Sequence, residues 1–185
     1  MSRLKITSAN VNDFFSLIPL PGKSGINNFK SSIDEYTDYL LNDAIRSLND
    51  HIAKTWLLCE KNSENIAAYM SLITDAIKLS FDEKELHGLK YLFKTIPAMK
   101  IAKLAINVKF TEKYQGIGTI MIHAAENIIY GLNNDYCSAR FLTVDADIEH
   151  DKGVLTFYEK NGFIPNTELN NKNRKTISMR KDIYQ

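Results

Sequence analysis

Cysteine is nearly missing from this chain: Cys59 and Cys137 are its only two, far apart and each in an apolar setting. That speaks against a disulfide framework or a cysteine metal cluster and points to a reducing compartment. The histidines His51, His87, His123 and His150 have no zinc-binding spacing, so no metal site is expected and each reads as a surface or helix residue. Charge of one sign is lacking too. The formal net charge of +1 gives no general argument for nucleic acid or a membrane surface. No apolar run approaches the roughly 18 residues of a membrane span, and the N-terminus Met1-Ser2-Arg3-Leu4-Lys5-Ile6 lacks a signal-peptide core. No membrane association is expected, and the cytoplasm is the expected compartment.

What is present suits one globular domain over residues 1–185: 44% of the residues are apolar and 24% charged, with low complexity confined to the Asn/Lys-rich run at 170–175. The charges are unevenly placed. Lysines outnumber acids between residues 78 and 113, and Lys172, Arg174, Lys175, Arg180 and Lys181 follow in the tail, whereas acids dominate residues 34–50. A basic second half suits a phosphate-bearing ligand, and equally reads as scattered surface lysines.

Leu4 and Ile6 alternate with polar residues as an opening strand. Phe14, Phe15, Leu17 and Ile18 form a small apolar segment that closes at Pro19 to Gly22. Gly22-Lys23-Ser24 ends like a phosphate-binding P-loop, but Leu17 stands where the motif needs its first glycine, so a turn is the better reading. Ile33, Tyr36, Leu40, Leu41, Ile45 and Leu48 fall at helical spacing, and Ser32 with Glu35 has the form of a capping box. Residues 56–60 and 66–73 read as a hairpin around the polar turn 61–65. Residues 80–96 read as a long connection with a short helix interrupted at His87-Gly88. Residues 99–110 alternate as a long strand, with Met99, Ile101, Lys103 and Ala105 on one face.

That strand leads into Lys113-Tyr114-Gln115-Gly116-Ile117-Gly118-Thr119-Ile120, and a helix with the stripe Ile120, Ala124, Ile128 and Leu132 follows. Phe141 to Val144 is the next strand, then a helix carrying Val154, Leu155, Phe157 and Tyr158 that stops at Asn161-Gly162. Residues 163–164 and 175–179 close the chain as two strands. This order belongs to the α/β or α+β classes.

A strand, a turn with two glycines and a helix expose backbone N–H groups at the positive end of a helix dipole, which favours a pyrophosphate. The full Gly-x-Gly-x-x-Gly of a dinucleotide site is not there, since Met121 takes the third glycine's place. A structural tight turn remains the competing reading of these residues alone, as aromatic packing does for Tyr158.

Taken together, residues 113–120 and Phe157-Tyr158-Glu159-Lys160-Asn161-Gly162-Phe163 resemble the acetyl-CoA site of the GNAT family of N-acetyltransferases. Its signature is Arg/Gln-x-x-Gly-x-Gly/Ala after the fourth strand and Phe-Tyr-x-x-x-Gly-Phe near the end. The resemblance is clearest over residues 98–164. It implies an α/β (α+β) GNAT-like fold: a mixed, mostly antiparallel sheet of six to seven strands, flanked by helices and splayed between strands 4 and 5. It also implies acetyl-CoA as the acyl donor. The backbone groups of Ile106 and Val108 would meet the pantetheine arm, and the amides of Gln115, Gly116, Ile117, Gly118 and Thr119 the pyrophosphate. Lys113 takes the Arg/Gln slot, keeping a cation without a planar fork of donors. Tyr158 takes the general-acid position, where a phenol can protonate the departing thiolate.

Asp151 replaces the family's common Asn at the helix start and receives no cofactor role. The fourth strand contains no acid, so no general base is identified; Glu60 is the nearest carboxylate and reads more simply as a surface residue. The pattern Lys103-Leu104-Ala105-Ile106, the glycine turn and Val144-Asp145-Ala146 look like the branch that includes toxin-antitoxin acetyltransferases acting on aminoacyl-tRNA. The expected function is therefore an N-acetyltransferase acting on a primary amine of a small molecule, a protein or an aminoacyl-tRNA. An antitoxin partner goes with the last of these, and a homodimer stays open. The alternative outside enzymes is a non-catalytic acyl-CoA-binding module.

Overall fold

The computed structural model describes residues 3–20, 25–63, 65–90, 93–166 and 175–185. The turn with Gly22-Lys23-Ser24, Glu64 of the hairpin turn, Leu92 and most of the Asn/Lys-rich run lie outside the described residues. The chain forms two compact units: residues 1–73 with 102–124, and residues 74–101 with 125–185.

In the first unit, the apolar segment near the N-terminus is a short helix α1 (Val11–Phe14) followed by a strand β2 (Phe15–Pro19). Strand β2 pairs antiparallel with β3 (Lys54–Glu60), which pairs antiparallel with β4 (Ile66–Ile77), so the expected hairpin is present. The helical stretch is a composite of α2 (Asp34–Asp38), a π-helical turn (Tyr39–Asp43) and α3 (Ala44–Asn49). Its apolar side closes a core of Leu40, Ala44, Leu57, Ile66, Tyr69 and Ala105.

The expected capping box of Ser32 and Glu35 does not form. Ile33 is the N-cap and makes no side-chain cap bond; Thr37 Oγ1 accepts the Ser31 amide at 2.9 Å, and Ser31 Oγ accepts the Ile33 amide at 3.3 Å. A capping box does form at α4 (Phe81–Leu86), where Ser80 and Glu83 satisfy each other's amides.

The long strand also moves. Strand β5 runs Ile96–Ile106, three residues earlier at its start than the alternation predicts and ending sooner. Asn107 ends it. The Asn107 side chain accepts the Lys109 amide at 3.2 Å and so caps a short helix α5 (Val108–Thr111), while its Nδ2 donates to the Ile66 carbonyl at 3.0 Å. Val108 and Phe110 are therefore helical. Strand β1 (Leu4–Lys5) pairs in parallel with β6 (Tyr114–Gln115), apart from the main sheet. Helix α6 (Ile117–Asp135) begins in this unit.

In the second unit, β5 pairs in parallel with β7 (Phe141–Asp147) from Ala98–Phe141 to Ile101–Val144. Both strands continue past that register, β5 to Ile106 and β7 to Asp147. Strand β9 (Thr176–Asp182) lies antiparallel to β7 and carries β8 (Ile164–Pro165) on its other edge. Across the whole sheet the strand order is β2-β3-β4-β5-β7-β9-β8. A small core of Ile77, Leu79, Ile96, Ala98 and Phe141 fills this unit near the strand starts.

His87 departs from the expected surface position. It is 6% exposed, and its Nδ1 lies 3.0 Å from Asp182 Oδ2. Arg180, 2% exposed, donates through Nη1 to Glu83 Oε1 at 2.8 Å and to Asn166 Oδ1 at 2.9 Å. The short helix α4 is thus held to β9 by buried charge, each group partnered as burial demands.

Candidate active site

In the first unit, the glycine turn is fixed from both sides. The Leu4 amide donates to the Lys113 carbonyl at 2.9 Å and the Ile6 amide to the Gln115 carbonyl at 2.8 Å. The Tyr114 ring packs edge-on against Phe15 at 5.3 Å and stacks with Phe110 at 6.0 Å. Gly116 then takes φ +93°, and a β-carbon there would sit 2.5 Å from the Ile6 carbonyl oxygen. Only glycine fits, because the conformation and the space both exclude a side chain.

The helix follows at once. The Ile120 amide bonds the Gly116 carbonyl at 3.1 Å, so the amides of Ile117, Gly118 and Thr119 precede the first turn's bonding and have no carbonyl partner within the helix. Buried Ile117, Ile120 and Met121 anchor this first turn. Lys113, Gln115 and Gly116 are exposed beside it. A rigid, glycine-lined helix start with an adjacent cation fits a phosphate group, by dipole and by donor chemistry.

Val108 fits its expected role less well. Its amide donates to the Lys30 carbonyl at 2.8 Å and its carbonyl accepts Thr111 Oγ1 at 2.8 Å, so both backbone groups already have partners. Ile106, half-buried at the end of β5, keeps the strand geometry that a pantetheine arm would read.

In the second unit, Tyr158 lies on α7 (Val154–Lys160) and is 5% exposed. Its ring is held between Phe157 at 5.0 Å and Phe163 at 5.2 Å. The Phe163 position depends on the helix end: the Asn161 and Phe163 amides both reach the Tyr158 carbonyl at 3.0 Å, and Gly162 takes φ +85° to turn the chain back. The Phe-Tyr-x-x-x-Gly-Phe spacing thus builds an aromatic clamp that fixes the phenol. Asp151 serves the turn before this helix, its Oδ1 accepting the Gly153 amide at 2.7 Å.

Glu60 holds the hairpin turn, with Oε2 accepting from Ser63 Oγ and Asn65 Nδ2, each at 3.0 Å. Among the described residues no group of His, Cys, Asp and Glu could hold a metal ion, and no helix is long and apolar enough to cross a membrane.

One cluster escaped the sequence reading. Lys103 Nζ lies 2.5 Å from Glu35 Oε1, 4.8 Å from the Tyr36 ring centroid and 6.0 Å from that of Tyr39. The signal was a lysine on the face of β5 shared with buried Ile101 and Ala105.

Together the mixed sheet, the glycine turn opening a helix and the clamped Phe-Tyr helix define a GNAT-like fold. No protein-family model and no curated protein sequence matches the chain. Solved structures match its fold. AtaT complexed with acetyl-methionyl-tRNAfMet aligns at TM-score 0.73 and 20% identity, covering 89% of this chain and 93% of its own. A tyrosine-to-phenylalanine mutant of the toxin AtaT, bound to acetyl-CoA and the C-terminus of the antitoxin AtaR, aligns at TM-score 0.66 and 18% identity, covering 90% and 92%. A tyrosine-to-phenylalanine mutant of KacT aligns at TM-score 0.72 and 14% identity, covering 90% and 95%.

Proposed function

We propose that the chain is an N-acetyltransferase that transfers acetyl from acetyl-CoA to the amino group of an aminoacyl-tRNA, and that its two units act as one catalytic domain. The observation that carries this reading is the glycine turn at 116–118, fixed by Ile6 and opening on helix-start amides that no carbonyl of the helix takes, in a fold shared with AtaT in its complex with acetyl-methionyl-tRNAfMet. An acetyltransferase for a small amine or a protein terminus would use the same donor residues. The exposed Lys78, Lys90, Lys94, Lys109 and Lys113 favour the RNA-borne acceptor through phosphate attraction, Lys100 and Lys103 being paired with Asp145 and Glu35.

Acetyl-CoA, when bound, supplies an activated thioester. The amides of Gly116, Ile117, Gly118 and Thr119 would receive the pyrophosphate, with Lys113 adding charge at the rim; Gln115 drops out, because the parallel pairing with Leu4 and Lys5 takes up its amide. The backbone of Ile106 orients the pantetheine arm, and Val108 drops out because its own backbone groups are engaged. The acceptor amine would attack the thioester carbonyl directly in its neutral form, and its nitrogen gives up a proton to solvent as the amide forms. Tyr158, held by Phe157 and Phe163, donates its hydroxyl proton to the thiolate sulfur as the C–S bond breaks, and recovers one from solvent.

Charged tRNA is a cytoplasmic substrate, which places the enzyme there. An antitoxin is the partner this reading calls for, because AtaT is a toxin solved with the antitoxin AtaR. Calorimetry with acetyl-CoA, followed by labelled acetyl transfer to a panel of charged tRNAs and small amines, tests the proposal. Micromolar acetyl-CoA binding with transfer to charged tRNA is expected. Failure to bind acetyl-CoA would make a non-enzymatic role the better account, and transfer to free amines alone would remove the tRNA acceptor.

A further inference from the structure

The tyrosines around Lys103 are held more firmly than the lysine they surround. Tyr36 and Tyr39 lie about one helical turn apart at the junction of α2 with the π turn, and both pack on the core cluster that contains Tyr69 and Ala105. Tyr69 is fully buried; its hydroxyl donates to the Tyr36 carbonyl at 2.7 Å and its ring stacks on Tyr39 at 6.2 Å with an interplanar angle of 19°. Lys103 enters on a flexible four-carbon stem, with its side chain 25% exposed and its partner Glu35 61% exposed.

Two tyrosine faces and a carboxylate around one ammonium are the parts of an ammonium receptor. The charge balance points the same way. Glu35 already neutralises Lys103, so the cluster offers an incoming phosphate little net attraction, whereas removal of the lysine would leave the Glu35 carboxylate without its cation and the two rings without theirs.

We propose that Tyr36, Tyr39 and Glu35 form the site that first receives the acceptor's primary amine as its ammonium, before it loses a proton to solvent and attacks, and that Lys103 occupies it as a tethered stand-in which the acceptor displaces. This rests on the acetyltransferase reading and specifies its acceptor site. Lys103 stands on β5 three residues before Ile106, about 10 Å along the strand from the expected pantetheine contact.

The test is binding without acetyl-CoA, so its outcome is separate from whether acetyl transfer occurs. In protein carrying 13C-labelled lysine, the ε-methylene signal of Lys103 should be shifted by the tyrosine rings and is identified by its absence in Lys103→Met. Alanine methyl ester, a small mimic of an aminoacyl ester, should return that signal saturably toward the position of solvent-exposed lysines. N-acetylalanine methyl ester, which has no ammonium, should not. Lys103→Met should bind the alanine ester about threefold to tenfold more tightly, since the stand-in is gone while the cage remains. An ester that leaves the Lys103 signal in place, or that Lys103→Met binds equally or more weakly, overturns the proposal. If these binding results hold while the acetyl-CoA calorimetry fails, the ammonium site stands and the acetyltransferase reading falls.

Discussion

The carbonyl oxygen of Ile6 lies 2.5 Å from where a β-carbon on Gly116 would be. Ile6 has little room to retreat, because its amide is bonded to the Gln115 carbonyl one residue away. Gly116→Ala should therefore destabilise the protein by about 2–3 kcal/mol, from left-handed strain and the clash together. Any acetyl-CoA binding should fall further than stability does, since the helix-start amides are what the turn presents. Denaturant melts and calorimetry on the same preparation check both. A variant as stable as wild type would show that the turn can relax.

Lys113 offers the opposite case. It is exposed at the rim of the turn, so Lys113→Ala should leave the melting curve unchanged while weakening acetyl-CoA binding about tenfold, the scale of one charge-assisted hydrogen bond. The loss should shrink at high salt, where an exposed cation is screened. Lys113→Arg should restore affinity and can exceed wild type, because its planar fork matches a phosphate. Equal affinity for wild type and Lys113→Ala would remove this lysine from the donor site.

Tyr158→Phe separates the ring from the hydroxyl. Packing between Phe157 and Phe163 is kept, so stability should change by no more than about 1 kcal/mol. The acetyl-transfer rate should drop about 100-fold or more, the usual scale of one positioned proton donor, with acetyl-CoA affinity unchanged. Single-turnover transfer measured beside calorimetry checks this. An undiminished rate would assign the tyrosine to packing alone.

The parts that could be read in the sequence are those whose signal is local. Continuous apolar runs, with a polar turn between the first two, located the hairpin and β7, and the apolar stripe from Ile120 located α6. The errors come where one local signal competes with another or with a distant partner. Alternation ran on through Val108 and Phe110, but Asn107 caps a helix there and bonds Ile66 across the fold. Glu35 had the right spacing from Ser32 for a cap, yet pairs with Lys103, 68 residues away. His87 sat beside a glycine in a polar stretch, the look of a surface loop; only β9, far along the chain, supplies the Asp182 that accounts for its burial. The Phe-Tyr helix was legible because its clamp and closing glycine lie within a few residues of one another, whereas the partners that fix the glycine turn, Leu4, Ile6 and Phe15, lie near the N-terminus and left no mark beside Gly116.

The ion pair between Arg180 and Glu83 is deeply buried, at 2% and 10% side-chain exposure, and its outcome on truncation follows from desolvation. Glu83→Leu leaves a guanidinium in the interior and should lower stability by about 3–5 kcal/mol. It also removes the carboxylate that caps α4 by accepting the Ser80 amide at 2.9 Å, a further loss of about 1 kcal/mol. Arg180→Met should be similarly harmful by stranding the Glu83 carboxylate. The double variant Glu83→Leu/Arg180→Met should recover much of the loss, since two apolar side chains of suitable volume replace two charges that need each other. A double-mutant cycle by urea denaturation measures this directly. Losses that simply add would mean that the two charges act independently, with Asn166 and the Pro165 carbonyl sufficient for Arg180.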